Sequence, residues 1–424
     1  MDCLLPLLFE ALSGAPVVLP DFFTEAPPQL QNAQRVQKMT PNKSIYGASF
    51  PNQRSSENFT VGWENGQGSA SAAEEALEAL EHGWAHFVED NNWVQPVASD
   101  EHLVWVILRN DLAGTGVTTT YSDTNYPQGY PVIYLNSEWS DWSEFWETLA
   151  VHELGHALQY AHRSYTTSKE EPWYWEASAV WMEALALPNN KTYAIQSSYY
   201  TEQTEHRYSS MEGYHQYGMF LINTYIEEHI TGEGGLKSIW ELSASRSDKR
   251  WPSIISESTG QPIEAVFQGM TRELAEKNYG DSAHYEVPKR EGRLEEEASG
   301  SLEKYGTHYW KIQEDVRIEA QGSVILSNAK NDPLVASYQK GDLLAVTGTS
   351  NGENDYELRA YPPVEDTGDT ASDSAGLDTG TEPETPIGGC ACNSKPSRVA
   401  SLWILLGLCI PLLRRKPTVN TSCR

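Results

Sequence analysis

Positions 152 to 156 read His-Glu-Leu-Gly-His, and this short segment restricts the fold more than any other part of the chain. It lies in a stretch that opens near Ser140 or Ser143, each a suitable N-cap. Phe145, Leu149, His152, Glu153 and His156 follow at spacings that predict a long helix. At ~100° per residue, His152 and His156 fall on one helix face, about one turn apart. Two neutral imidazoles so placed can hold one metal ion, and nitrogen ligands with an open fourth position suit zinc. Glu153 stands beside the first histidine, within reach of a water that the metal acidifies towards a pKa of ~7. It can take that proton as general base and return one to a leaving amine. Gly155 permits close approach of chain or substrate.

The helix must meet a second element that supplies a third ligand. Residues 173 to 187 predict a helix that opens Trp-Tyr-Trp and carries Glu176 and Glu183, seven residues apart and so nearly on one face. A carboxylate among so many aromatic residues needs a partner, because burying it alone is costly. Nineteen residues separate His156 from Glu176. Here the chain resembles the gluzincins, the HExxH metallopeptidases with a glutamate ligand on the next helix. The spacing equals that of thermolysin and is one residue longer than in the aminopeptidase branch. The resemblance spans roughly residues 100 to 280. It implies that His152, His156 and Glu176 bind Zn2+ and that Glu153 is the base. The chain departs from the family at Val180, where thermolysin has the aspartate that orients a zinc histidine. Glu183, one turn further, is the candidate replacement; the alternative is a solvated or salt-bridged helix residue.

A donor for the developing oxyanion is also expected. In the aminopeptidase branch a catalytic tyrosine stands three residues before a comparable glycine. His215 occupies that place before Gly218, with Tyr214 and Tyr217 as alternates and aromatic packing as the other explanation. A rival third ligand is His162, six residues after His156, where a metzincin places its third histidine. Gln159 stands where that family has its glycine, and 208 to 214 faintly resembles a Met-turn. If the helix continues, His162 lies ~9 Å along the axis and points elsewhere.

Around this site the expected fold is α+β: a zincin-like catalytic domain over 56–290, with the HExxH helix and the glutamate helix. Ser71 to Glu74 reads as a capping box opening an earlier helix. His102 to Leu108 reads as a buried strand. Tyr130 to Leu135 reads as another, and as the candidate edge strand for an extended substrate. A helix is expected from about His215 to Glu228, and helical pattern runs to about 278. Alternation at Val316, Ile318 and Ala320, at Val324 and Leu326, and at Tyr356, Leu358 and Ala360 predicts a β-rich accessory module over 296–361. Residues 16–55 read as a disordered lead or pro-segment. Residues 362–389, acidic and without a basic residue, read as a disordered linker.

Residues 1–15 resemble an atypical signal peptide or the remnant of one, although Asp2 and Glu10 are unwelcome there. Val399 to Leu413 is apolar and is followed by Arg414, Arg415 and Lys416. Such a helix spans roughly 22 Å, short against a ~30 Å hydrocarbon core. With Cys390 and Cys392 just before it, the segment 390–416 resembles the C-terminal sorting tails of myxobacterial surface proteins. That resemblance implies export and display at the cell surface, or release; a plain membrane anchor is the alternative.

The formal net charge is -29, which argues against nucleic acid as a partner. No cysteine lies between Cys3 and Cys390, so the folded body holds neither disulfide nor thiolate zinc site. Taken together, these features lead us to expect an exported zinc metallopeptidase, an endopeptidase acting on protein or peptide and touching membrane only through its tail. The competing expectation is a non-catalytic surface binding or adhesion protein on the same scaffold. Neither the substrate nor the oligomeric state is set by the sequence.

Overall fold

The computed structural model describes residues 44–45, 48–121, 130–162, 172–329 and 332–363. Residues 1–43, most of the acidic linker and the whole sorting tail lie outside them. Strands β1 (Ser44–Ile45) and β2 (Ala48–Ser49) form a small antiparallel ribbon. Strands β3 (Asn52–Ser55), β4 (Phe59–Trp63), β5 (Val104–Arg109), β6 (Gly116–Tyr121) and β7 (Tyr130–Asn136) form a mixed sheet in the order β3-β4-β5-β7-β6. The lead expected to be unstructured through residue 55 is thus corrected: Asn52–Ser55 pairs antiparallel with β4.

The sheet is buried on both faces because its central strands β5 and β7 are apolar from Val104 to Leu108 and from Tyr130 to Leu135. Val104, Val106 and Leu108 of β5 join the main core, while Trp105 and Ile107 join a second cluster on the opposite face with Val132 and Tyr134 of β7. β7 lies between β5 and β6, so the edge strands are β3 and β6 and not Tyr130 to Leu135 as the sequence suggested. The 112–121 stretch is short of apolar residues, which suits an edge and hid it among loop signals.

Helix α1 (Ala70–Trp84) starts at Ser69, whose hydroxyl accepts from the Ala72 N–H at 3.1 Å. The cap is therefore two residues earlier than the expected Ser71. Helix α2 (Ser143–His162) packs against α1, β6 and β7, and its other side meets helix α3 (Pro172–Ala186). Every residue from Thr148 to Gln159 and from Trp173 to Ala184 is buried. Helices buried all round have no solvent face on which to place polar groups. After α4 (Ser197–Thr201), the helix expected from His215 to Glu228 is interrupted at 219–220, between α5 (His215–Gly218) and α6 (Leu221–Tyr225). Helices α7 (Gly235–Ala244), α8 (Trp251–Thr259) and α9 (Ile263–Glu276) complete this part.

Beyond α9 the chain forms a β-sandwich. One sheet contains β8 (Gly292–Leu294), β10 (Thr307–Ile312), β12 (Val324–Leu326) and β14 (Leu343–Gly348). The other contains β9 (Glu297–Leu302), β11 (Val316–Gly322), β13 (Val335–Tyr338) and β15 (Asn354–Tyr361). Residues from both sheets, among them Ile312, Ile318, Leu344 and Leu358, share one core. The sandwich is no separate accessory, because the chain forms one compact unit through Glu365. Tyr305 belongs to the main core: its ring stacks on Phe267 at 4.3 Å, and its hydroxyl donates to Glu264 at 2.8 Å. The Thr307 N–H donates to the Thr204 carbonyl at 2.6 Å, and the Tyr208 N–H to the Lys304 carbonyl at 3.2 Å. Among the described residues no helix is long and apolar enough to cross a membrane.

This joint predicts shared stability. Tyr305→Ala should cost about 3 kcal/mol and lower the melting of helices and sandwich together. Calorimetry of the full chain should show one transition for both; two transitions, only one of them shifted, would show that the parts fold independently.

Candidate metal centre

α2 and α3 approach closely where Gly155 faces α3: a methyl group there would meet Met182 Sδ at 3.2 Å. The chain therefore uses this small residue for helix contact. Across the joint His152, His156 and Glu176 converge, with ligand atoms all within 4.8 Å of one another. Glu176 Oε2 lies 3.2 Å from His152 Nε2 and 3.5 Å from His156 Nε2. The two rings meet edge to face at 4.8 Å. A buried group of two imidazoles and a carboxylate is one that can hold a metal ion.

Each histidine is gripped from behind. Glu183 Oε1 accepts from His152 Nδ1 at 2.7 Å, and Gln196 Nε2 lies 3.4 Å from the other Glu183 oxygen. Glu183 is fully buried, not a solvated helix residue, and it contacts the histidine that Val180, an apolar core residue, cannot reach with a polar group. Gln159 Oε1 stands 2.8 Å from His156 Nδ1. Burial works against charge on His152, yet the hydrogen bonds and charges of Glu176 and Glu183 outweigh it and raise its pKa to about 10. Burial pushes Glu176 up, but the two histidines, His156 first, hold it well below the usual carboxylate range. Burial pushes Glu183 up. The cluster is buried, rich in carboxylate and disposed to take up positive charge.

Glu153 is also fully buried. Thr118 Oγ1 of edge strand β6 lies 2.7 Å from Glu153 Oε2 and 2.8 Å from the Glu153 carbonyl oxygen. Its single proton can go to either. Glu153 Oε1 has no hydrogen-bond partner among the described residues. It sits over Gly116, where an added Cβ would come within 2.7 Å of it. Gly116 and Thr118 share one strand face and together cradle this carboxylate.

Other expected residues lie elsewhere. His162 packs edge-on against Trp93, with ring centroids 5.6 Å apart, and is not in the ligand group. His215 is fully buried against Tyr200 and His206 and makes no hydrogen bond or ring contact with the cluster. Burial and the nearby His206 lower its pKa to about 3, so it is neutral near pH 7. Tyr217 is the residue of that segment beside the site, its ring 6.1 Å from that of His152. Tyr214 stacks on Tyr217 at 6.3 Å and, like Gly213 before it, has a left-handed backbone, with φ of 65°. This turn precedes α5, which carries both His215 and Tyr217. Thr118, Gly116 and Gln159 escaped the sequence reading as site residues. For Gln159 a signal existed, since it follows His156 by three and shares its helix face.

The fold and the site define a mixed α+β protein with a buried metal-type cluster between two core helices. A family model described as a family of unknown function (DUF6055) matches residues 24–322, and the chain belongs to that family. No curated protein and no solved structure matches it.

The Thr118 contact can be tested without any assay of activity. Thr118→Val keeps the shape but leaves a buried carboxylate oxygen without its donor, at a cost of about 1–3 kcal/mol. Thr118→Ser should recover most of it in urea denaturation. Equal stability of the valine variant and the wild type would rule the interaction out.

Proposed function

We propose that this chain is a zinc-dependent peptidase with a zincin-like catalytic region of gluzincin type. The observation that carries the proposal is the convergence of His152, His156 and Glu176 with Glu153 in the adjoining position of α2. The residues fit zinc: two imidazole nitrogens and one carboxylate oxygen leave a fourth position open. Both histidines are held through Nδ1 by a second residue, and Glu176 is a buried carboxylate suited to face a cation. When bound, zinc supplies Lewis acidity, which polarises a carbonyl and brings the pKa of water towards ~7.

The chain's own residues do the rest. Thr118 holds Oε2 of Glu153, which leaves Oε1 to accept a proton from the attacking water and later give it to the leaving amine nitrogen. Tyr217, a phenol beside His152, takes the place of donor to the developing oxyanion that the sequence had given to His215. The outer edge of β6, which also carries Thr118, is where an extended peptide can add as a strand. Substrates in this proposal are proteins or peptides. Export and surface attachment through residues 390–416 belong to the same proposal, on the sequence grounds already given.

A second reading, a structural ion in a binding protein, is favoured by one observation: His152, Glu153 and Glu176 have no exposed surface.

Metal analysis and hydrolysis of casein or a peptide library by the full chain should separate the two. Glu176→Ala should lose zinc and His162→Ala keep it; the reverse would overturn the ligand assignment. Glu153→Gln should keep zinc and lose about 10²–10⁴-fold in rate, and a chelator should abolish the wild-type activity. A zinc-loaded wild type that cleaves nothing would favour the structural ion.

A further inference from the structure

We infer that Gln159 decides which nitrogen of His156 carries a proton, and so fixes the Nε2 lone pair towards Glu176 and the ion proposed there. The inference concerns a positioning residue; its consequence for zinc affinity rests on the peptidase proposal, and its structural core does not.

Gln159 Nε2 lies 3.0 Å from the Trp175 carbonyl oxygen and 3.0 Å from Ser178 Oγ. A backbone carbonyl only accepts, so the NH2 end of the amide must face it. The Ser178 hydroxyl has its own acceptors, the Tyr174 carbonyl at 2.5 Å and the Trp175 carbonyl at 3.2 Å, which leaves its oxygen to accept from the amide. The amide cannot be turned over without setting two oxygens against each other at Trp175. Its Oε1 therefore faces His156 Nδ1, 2.8 Å away. An amide oxygen only accepts, so Nδ1 must carry a proton. A neutral His156 then has its lone pair on Nε2, the nitrogen 3.5 Å from Glu176 Oε2.

The contact has a second effect. Trp175 directly precedes Glu176, so one side chain ties the second histidine to the backbone beside the third ligand. Gln159 is fully buried, and its packing between α2 and α3 allows the amide little freedom. His152 reaches the same state by another route, through the Glu183 carboxylate.

Nitrogen NMR of the full chain with isotope-labelled histidine, metal-free and zinc-loaded, tests the tautomer. A proton on His156 Nδ1 in both states is expected, and an unprotonated Nδ1 in the metal-free wild type overturns the inference. Chelator competition tests the consequence. Gln159→Leu, which removes both hydrogen-bonding ends, should weaken zinc binding about 10- to 100-fold. Gln159→Glu keeps an acceptor for Nδ1 but sets an oxygen against the Trp175 carbonyl, so it should keep the Nδ1 proton in the nitrogen spectrum while lowering stability. A Gln159→Leu variant that binds zinc as tightly as the wild type, or a Gln159→Glu variant that loses the Nδ1 proton, would make Gln159 a mere tie between helices and overturn the assignment. If the leucine variant does not fold, the wild-type spectrum and the glutamate variant still decide. A wild type that takes up no zinc would overturn the peptidase proposal instead, and the metal-free spectrum would still settle the tautomer.

Discussion

The packing of α2 against α3 depends on charge that water cannot reach. Glu153, Glu176 and Glu183 are fully buried, with His152 and His156 between them. Taking a carboxylate out of water costs several kcal/mol unless a partner restores the interaction. Here the partners are shared: Glu176 faces both Nε2 atoms, and Glu183 takes Nδ1 of His152. The surroundings are built to hold those partners still. Trp146, Trp173 and Trp175 fill the core beside them, and Gly155 lets the helices come near enough for the side chains to meet. Such a cluster is costly to assemble for packing alone, which is why it is read as a site.

The two histidines are held differently, and the difference has an electrostatic sense. Three carboxylates already stand in the pocket, and a divalent cation would leave one negative charge. A carboxylate at position 159 as well would add a fourth in a region of low dielectric, where like charges repel strongly. An amide orients His156 at no such cost. Glu183 meets the same constraint in its own way: burial pushes its carboxyl up, while His152 and Gln196 pull it back.

What could be read in the sequence was whatever a single helix determines. His152 and His156 share a face by their spacing, and Glu176 and Glu183 do so by theirs, so both halves of the cluster were visible before any fold was known. Resemblance to the gluzincins joined the halves. What depends on tertiary contact was not legible. The edge position of β6 follows from the sheet order, and Gly-Val-Thr-Thr-Thr-Tyr has no apolar alternation to announce a strand. Thr118 therefore gave no sign of reaching Glu153 across 35 positions. The place of His215 was inferred from its distance to Gly218 along an assumed helix. The stretch from His215 to Gly218 is helical, but it turns His215 towards Tyr200 and His206 and brings Tyr217 beside His152. Likewise, alternation showed that the sandwich exists, but not that Tyr305 leaves it to join the helical core.

That joint bears on the site itself. The segment from Thr204 to Tyr208 is bonded to the backbone of residues 303 to 307, and it leads within a few residues to Tyr214 and Tyr217, beside His152. Tyr208 packs on Trp173 at the start of α3 as well as on Tyr305. A sandwich loosely tethered to a complete enzyme could not influence that wall; one that supplies its backbone partners can. The family match ends at residue 322, the last residue of β11. It thus takes in β8 to β11 and the docking residues Tyr305 and Thr307, and omits β12 to β15. The grip on the helical core comes from both parts of the sandwich: Tyr305 and Thr307 lie within the match, while beyond it β14 packs on α9 and the Leu326 carbonyl of β12 accepts from Gln268 Nε2 at 2.6 Å.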